Sequence, residues 1–337
     1  MNRIKKIDGW RCVAIGLVLF GHYLYRVDIS DYFSASHYIG RLGVQIFFVI
    51  SGYVITLGMI KEKDVFNSVS LKSFYIRRFF RIVPPLFLYV LVVSVLGQVR
   101  AIDIDFQDIL YVVLFITNLH FVFNVGWYFE HTWSLSYEEQ FYLLFPFMFV
   151  FLNKMLGIKL VFFVIAASGF CYFIDYDMAG ELLRNFSLLL VGVALAKNKS
   201  TIEILLEIIG ARVRSIFLFL SIVLVLVLHY GQGIIFEALE IFLLPFGVAV
   251  MFFISINFSS FIDPMLENRF SVYVGSVSYG IYLWQQLALG DHGVGPFSFL
   301  FFVFLSVLLA GLQFKYIERR LIKIGRAISN QVSDRVA

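Results

Sequence analysis

Residues 7–23 read IDGWRCVAIGLVLFGHY, an apolar stretch that takes in Arg11 near its start and His22 near its end. A membrane-spanning helix needs roughly 20 mostly apolar residues, and this one can be drawn over 10–27. The same signature recurs near 41–60, 79–97, 138–152, 159–174, 182–196, 215–230, 236–256, 271–289 and 297–317, which makes ten runs. The expected fold class is therefore all-α: a polytopic integral membrane protein of about ten transmembrane helices. The fourth to sixth runs are short and call for tilt or polar ends. A further apolar stretch, Ile109 to Phe123, is interrupted by Thr117, Asn118 and His120. It reads as an interfacial or re-entrant piece of the long loop between Gln98 and Trp133, because irregular backbone needs cover at membrane depth.

Composition supports the same solvent. Hydrophobic residues make up 60% and charged residues 15% of the 337 residues, against about 25% charged in an ordinary soluble domain. Forty Phe and 18 Tyr suit lipid-facing helices with aromatic rings at headgroup level. Cys12 and Cys171 both sit in apolar runs and imply neither a disulfide framework nor a metal centre.

The net charge of +4 does not point to nucleic acid, since the cations sort by membrane side. With the N-terminus inside, only Arg26, Arg41, Arg100 and Arg184 of the 27 Lys and Arg fall on the outer side. Asp28, Asp31, Asp103, Asp105, Asp108, Asp175, Asp177 and Asp291 decorate that opposite face. The positive-inside rule thus places both termini in the cytoplasm. No cleavage pattern follows Lys5 and Lys6, so the first span is expected to be retained. No repeat or linker divides the chain; one membrane domain over 1–337 is expected, with a short polar cytoplasmic tail from about 322 to 337.

Within the first span Arg11 and His22 are eleven residues apart. On an α-helix that separation leaves them within about 20° of one face and roughly 16 Å apart along the axis. A histidine at that depth is either hydrogen-bonded glue between helices or faces a cavity, and an arginine at the mouth is equally a topology anchor. If functional, a neutral His22 is a general base for a hydroxyl, since its ordinary pKa lies near working pH.

The second span carries GVQIFFVISGYVIT (43–56), where Gly43, Ser51 and Gly52 read as close helix packing. SFYIRRFFRIVPP (73–85) sets Arg78 and Arg81 three residues apart, neighbours on one helical surface. Forked guanidinium donors at a helix start suit phosphate oxygens, whether of a cofactor or of lipid headgroups. WSLSYEEQFYLLFP (133–146) puts Glu138 and Glu139 at the expected first turn of the fourth span, with Ser134 or Ser136 as its cap. Those carboxylates are either capping groups or groups that orient His22 or hold a sugar hydroxyl. In SVSYGIYLWQQ (276–286), Trp284 and Gln285 are deep and polar enough to line a cavity.

In order and spacing, these five blocks resemble those of the acyltransferase-3 family of membrane O-acyltransferases, over nearly the whole chain. Arg11 and His22 match the family's first-span pattern, Arg78 and Arg81 its paired arginines, and Glu138 and Glu139 its acidic motif. The resemblance implies transfer of an acyl group, commonly acetyl, from cytoplasmic acyl-CoA to a glycan or glycolipid hydroxyl on the outer side, without a metal. In that reading Arg11, Arg78 and Arg81 hold the phosphates of CoA. His22 is the base or acyl carrier, and Glu138 orients the imidazole or holds the acceptor. The family often has histidine where this chain has Gln285, and no chemical role is assigned to that block. The alternatives are a secondary transporter, although neither internal repeats nor interrupted half-helices are visible, and a polysaccharide-export partner without acyl transfer.

Overall fold

A computed structural model describes residues 4–26, 33–119, 122–151, 158–173, 177–231, 234–290 and 298–333. His120, Asp28, Asp31, Asp175 and Asp291, named above, lie outside them. The described residues are helical with connecting turns. In chain order the helices are α1 (Lys5–Arg26), α2 (Phe33–Phe66), α3 (Leu71–Gln98), α4 (Phe106–Val113), α5 (Trp127–Glu130), α6 (Trp133–Phe151), α7 (Ile158–Phe173) and α8 (Asp177–Lys197). Then come α9 (Lys199–Ile208), α10 (Gly210–Tyr230), α11 (Ile234–Asn257), α12 (Asp263–Glu267), α13 (Arg269–Ser276), α14 (Ser278–Leu289), α15 (Ser298–Gln313), a π-helical turn (Phe314–Glu318) and α16 (Arg319–Ser333).

The described residues of the ten expected apolar runs are helical, apart from a break at Val277 in the ninth. Six stretches are long and apolar enough to cross a membrane by length and composition: Ile39–Phe66, Leu71–Gln98, Ala179–Lys197, Gly210–His229, Ile235–Asn257 and Ser298–Val332. The other runs fall short for reasons written in their residues. Arg11, His22 and Arg26 dilute α1, while Glu138, Glu139 and Gln140 dilute α6. Helix α7 has only 16 residues. The ninth run, expected over 271–289, is two helices with a break at Val277 (φ −106°, ψ 8°). Outward faces fit lipid: Phe87, Leu91 and Val95 on α3 repeat every fourth residue, at 51%, 61% and 52% exposure.

The chain separates into two compact units, each built from discontinuous stretches. The first comprises Met1–Gly21, Ser30–Lys61 and Met148–Ser276. Here α7 packs on α8, α10 on α11, and α11 also on α7 and α8. Between helices in lipid, close van der Waals contact replaces the hydrophobic drive, and small residues permit it. A Cβ at Gly52 would stand 2.0 Å from Leu189 O, and one at Gly192 2.2 Å from Val49 O. The two glycines therefore let α2 and α8 cross backbone to backbone, the packing role expected of Gly52. The start of α1 is pinned in the same unit: Lys6 Nζ donates to Phe258 O at 2.8 Å and pairs with Asp263 at 2.9 Å. The Trp10 indole donates to Ser255 Oγ at 2.7 Å.

The second unit comprises His22–Ile29, Glu62–Phe147 and Val277–Ala337. Its α3 begins with Ser70 Oγ accepting from Ser73 N and packs along α16. The segment from 322 is part of an ordered helix through Ser333, with Gly325 and Ser329 buried one turn apart. Ser73 Oγ donates to Ser329 O at 2.9 Å and Arg77 to Ser329 Oγ at 2.7 Å.

The long loop is likewise fixed rather than loose. Asp105 caps α4 through Gln107 N at 2.9 Å. Asp108, expected on the outer surface, is buried and accepts from Gly126 N at 2.9 Å. The breakers Thr117 and Asn118 are buried because α6 supplies their partners. Thr117 Oγ1 lies 2.7 Å from Ser136 Oγ, and Asn118 exchanges amide hydrogen bonds with Gln140 at 3.0 and 2.9 Å.

Candidate functional site

Helix α1 carries Arg11 and His22 on one continuous element, as expected. His22 is half-buried, and its Nδ1 lies 3.1 Å from Gln285 Oε1 on α14. An amide oxygen only accepts, so Nδ1 carries the hydrogen and Nε2 keeps its lone pair. That is the tautomer a base or nucleophile needs. The indole of Trp127 stands edge-on to the His22 ring at 6.2 Å. Trp127 is itself held by its Nε1 donating to Gln286 O at 3.3 Å. Arg26 lies over the indole at 4.4 Å and donates to Gly290 O at 3.3 Å. Tyr25 stacks nearly parallel on Trp127, 6.1 Å between centroids.

Beside this group is His131, 2% exposed, in the turn between α5 and α6. Both its backbone N–H, at 3.2 Å, and its Nδ1 meet Gln286 Oε1. The Tyr282 hydroxyl donates to His131 O, and the rings of Tyr89 and Tyr282 flank the imidazole at 5.6 and 5.1 Å. Burial pushes its pKa down to about 3, with the neighbouring His22 acting in the same direction against the Gln286 hydrogen bond. It is a neutral imidazole at working pH, with Nδ1–H spent on Gln286. Adjacent glutamines of α14 thus each hold one histidine.

The remaining predicted residues fall elsewhere. Arg11 is half-buried and 3.6 Å from Asp8, one turn back on the same helix. On α3 the three arginines divide. Arg77 is committed to Glu62 at 2.6 Å. The Arg78 guanidinium lies over Tyr142 at 4.9 Å and Phe74 at 5.7 Å, in electrostatic range of Arg81, Glu138 and Glu139. Arg81 is exposed. Glu138 Oε2 accepts from Tyr142 OH at 3.1 Å, and Glu139 Oε1 is buried without a hydrogen bond. Arg78, Arg81, Glu138 and Glu139 are therefore brought into one charged cluster.

One expectation about this block is corrected. Helix α6 starts at Trp133, so Glu138 and Glu139 lie in its second turn, and neither Ser134 nor Ser136 caps it. The reason is that Ser136 N already bonds Thr132 O at 3.0 Å, which closes the first turn earlier. Ser134 Oγ instead meets Tyr282 OH at 3.1 Å. Capping no longer explains the two carboxylates.

Gln285, assigned no chemical role from sequence, is the residue that touches His22, and His131 escaped attention altogether. The available signal for both was position: His131 stands two residues before the WSLSYEEQ block and Gln285 inside SYGIYLWQQ. Among the described residues no group of three or more His, Cys, Asp or Glu is placed to hold a metal ion.

Comparison with known proteins decides the family. The acyltransferase-3 profile, described as an acyltransferase domain, matches residues 4–316. The chain belongs to the acyltransferase-3 family. A Staphylococcus aureus (strain COL) protein named "Putative O-acetyltransferase" is 27% identical over 303 residues, covering 78% of this chain and 50% of that protein. The peptidoglycan O-acetyltransferase OatA of Listeria monocytogenes is 27% identical over 270 residues, 68% of this chain and 42% of its own length. The O-acetyltransferase OatA of S. aureus (strain NCTC 8325) is 25% identical over 310 residues, 80% and 51% respectively. The chain thus spans about half the length of these relatives. No solved structure matches it.

Proposed function

We propose that this acyltransferase-3 protein is a membrane-embedded O-acyltransferase. It moves an acetyl group from cytoplasmic acyl-CoA to a hydroxyl of a cell-surface or exported glycan or glycolipid. The observation that carries the reading is the setting of His22: Gln285 Oε1, 3.1 Å from Nδ1, holds the ring in the tautomer whose Nε2 lone pair can take a proton or an acyl group. The O-acetyltransferase names of the relatives support the acyl group and acceptor class.

In this reading the whole chain acts as one acyltransferase domain, with ten crossings and both termini in the cytoplasm of a bacterial inner membrane. The sorting of Lys and Arg by side supports that topology. Arg78 and Arg81 take the phosphates of CoA. Arg11, eleven residues before His22 on the same helix, is a further donor contact once it exchanges Asp8 for an anion. Glu138, held by Tyr142 beside Arg78, keeps Arg78 in place and offers a carboxylate to the acceptor. The pantetheine arm then extends toward His22.

Purified protein in proteoliposomes, given radiolabelled acetyl-CoA and a glycan acceptor, is expected to transfer label to the glycan. Mass spectrometry of surface polysaccharide from a deletion strain is expected to show a missing acetyl ester, and identifies acceptor and acyl group together. Unchanged polysaccharide, with no label transfer in vitro, overturns the reading.

A further inference from the structure

Helix α16, RRLIKIGRAISNQVS, carries Arg319, Arg320, Lys323 and Arg326 and no carboxylate, and all four cations are exposed. Their directions follow from how the helix is seated on α3. Ser73 and Arg77 bond Ser329, while a Cβ at Gly325 would stand 2.7 Å from Phe80 Cβ. Further along, Arg81 lies in electrostatic range of Glu318. Rising numbers on α3 thus meet falling numbers on α16, so the two helices pack antiparallel. The start of α16 is fixed at the π-helical turn, where Trp284 Nε1 donates to Gln313 Oε1 and Gln313 Nε2 to Glu318 Oε1, each at 2.8 Å.

At about 100° per residue, Arg81 and Arg78 stand about 80° and 140° round α3 from Ser73, measured in the winding sense of the helix. Measured in the same sense from Ser329, Arg326, Arg319 and Lys323 stand about 60°, 80° and 120° round α16. In an antiparallel pair, rotation in one sense from the contact line leads to the same side of both helices. Five cations therefore share one side of the α3 and α16 pair, those of α16 spread over about 10 Å of its axis. The other side is apolar, with Phe79 of α3 at 53% exposure and Ile324 and Ile328 of α16 at 48% and 37%. Arg320 points away from α3.

The α3 arginines already face acids: Arg78 is in range of Glu138 and Glu139, and Arg81 of Glu318. The α16 flank adds positive charge with no acid on its own helix. A ligand that meets both sets needs two separated anionic groups. Acyl-CoA has that form, with a diphosphate on the thioester side and a 3′-phosphomonoester on the ribose, a group that carries a charge of about −1.5 to −2. Resting on the acyl-CoA reading above, we propose that Arg319, Lys323 and Arg326 bind the 3′-phosphate of CoA while Arg78 and Arg81 hold the diphosphate. Guanidinium forks and a mobile ammonium both suit phosphate oxygens. The contact selects the donor, since acetyl phosphate and acetyl-pantetheine have no such group.

Initial rates of glycan acetylation by the full chain in phosphatidylcholine proteoliposomes, with acetyl-CoA and with acetyl-3′-dephospho-CoA, test the contact. The unchanged chain is expected to show a KM about tenfold higher for the dephospho donor, the effect of losing one charge-assisted contact, at similar kcat. Arg319→Gln, Lys323→Gln and Arg326→Gln together are expected to raise KM for acetyl-CoA about tenfold and leave that for the dephospho donor within about twofold, so the preference disappears. Arg320→Gln is expected to keep it. Equal KM values for the two donors with the unchanged chain overturn the proposal, and so does a triple variant that retains the preference.

Anionic lipid headgroups are the other source of phosphate for such a flank. The same assay with phosphatidylglycerol in the vesicles separates the sources. A triple-variant defect that requires the anionic lipid and falls equally on both donors marks a lipid contact and overturns the proposal. A preference for the 3′-phosphate that is lost in neutral lipid supports it. If the unchanged chain transfers acetyl from neither donor, the acyl-CoA reading itself fails, and this contact with it.

Discussion

His22 and His229 are both imidazoles set in apolar helices, and they are held in opposite ways. His22 is half-buried and has a neutral amide on Nδ1. His229, in the other unit, is 1% exposed, with Nδ1 4.0 Å from Glu240 Oε1. The same carboxylate oxygen accepts from Gln45 Nε2 at 3.3 Å. Polar side chains inside a helical membrane protein serve either as interhelical glue or as sites that await a ligand. The difference lies in exposure and in the partner's charge: His22 is half-buried against a neutral amide, whereas His229 is buried beside a carboxylate. Histidine content alone does not distinguish them.

The largest expected effect breaks the comparison directly. His22→Ala should lower acetyl transfer by about 10³-fold or more, the upper part of the range for losing a positioned acid–base group. His229→Gln should leave turnover per folded molecule within about threefold. Parallel label-transfer assays on the two variants check this. Equal losses would mean that the unit containing His229 takes part in the chemistry and that the contrast in burial is irrelevant.

The next effect concerns His131, neutral because it is buried beside His22. The unfolded histidine takes up a proton near 6.5 and the folded one only near 3. Between those values the unfolded chain binds more protons, so stability falls as pH falls from 6.5. By pH 5 the loss from this group is about 2 kcal/mol. His131→Asn retains an N–H where Nδ1 stands, and should flatten the pH dependence of thermal unfolding in detergent between pH 7 and 5. An unchanged slope would show that His131 does not meet solvent protons on unfolding as assumed.

How much of this was legible depends on whether the cause is local. Each apolar run falls on a helix because length and hydropathy are properties of neighbouring residues. The Gly52 contact was readable because small residues in a bulky span have few other uses. The start of α6 was misplaced by one turn because Thr132 and the buried loop residues Thr117 and Asn118 set it, not the serines. Gln285 is legible as a polar residue deep enough to line a cavity, but its contact with His22 is not, because that partner is 263 positions away. The candidate site residues also lower the apolar character of α1 and α6, so the site signal came with a blunted span signal.

The arginines of α3 offer a smaller effect of the same open-or-closed kind. Arg77 is closed, since Glu62 at 2.6 Å and Ser329 at 2.7 Å use both of its terminal nitrogens. Arg81 is exposed. Arg78→Ala and Arg81→Ala are each expected to raise KM for acetyl-CoA about tenfold, about 1.4 kcal/mol of lost binding, with kcat changed far less. Arg77→Ala should leave KM alone and cost about 1 kcal/mol of stability, since the pair is partly exposed. Initial-rate kinetics and thermal unfolding on the three variants separate phosphate contact from scaffold, and a KM defect in Arg77→Ala would erase the division.

The smallest effect is the most exacting test of what a buried polar cluster is for. Removing one member of a buried charged pair leaves the other uncompensated, but replacing the whole set with apolar residues of similar size is often neutral or stabilising. Gln45, His229 and Glu240 are 1%, 1% and 6% exposed, so the rule applies with little solvent relief. Changing all three to leucine should therefore leave both turnover, within about threefold, and stability, within about 1 kcal/mol, near wild type, while Glu240→Leu alone should be worse than the triple change. The opposite order, with the triple variant inactive though folded, would mean that this cluster moves a proton or holds a ligand. His229 would then belong with His22 rather than against it.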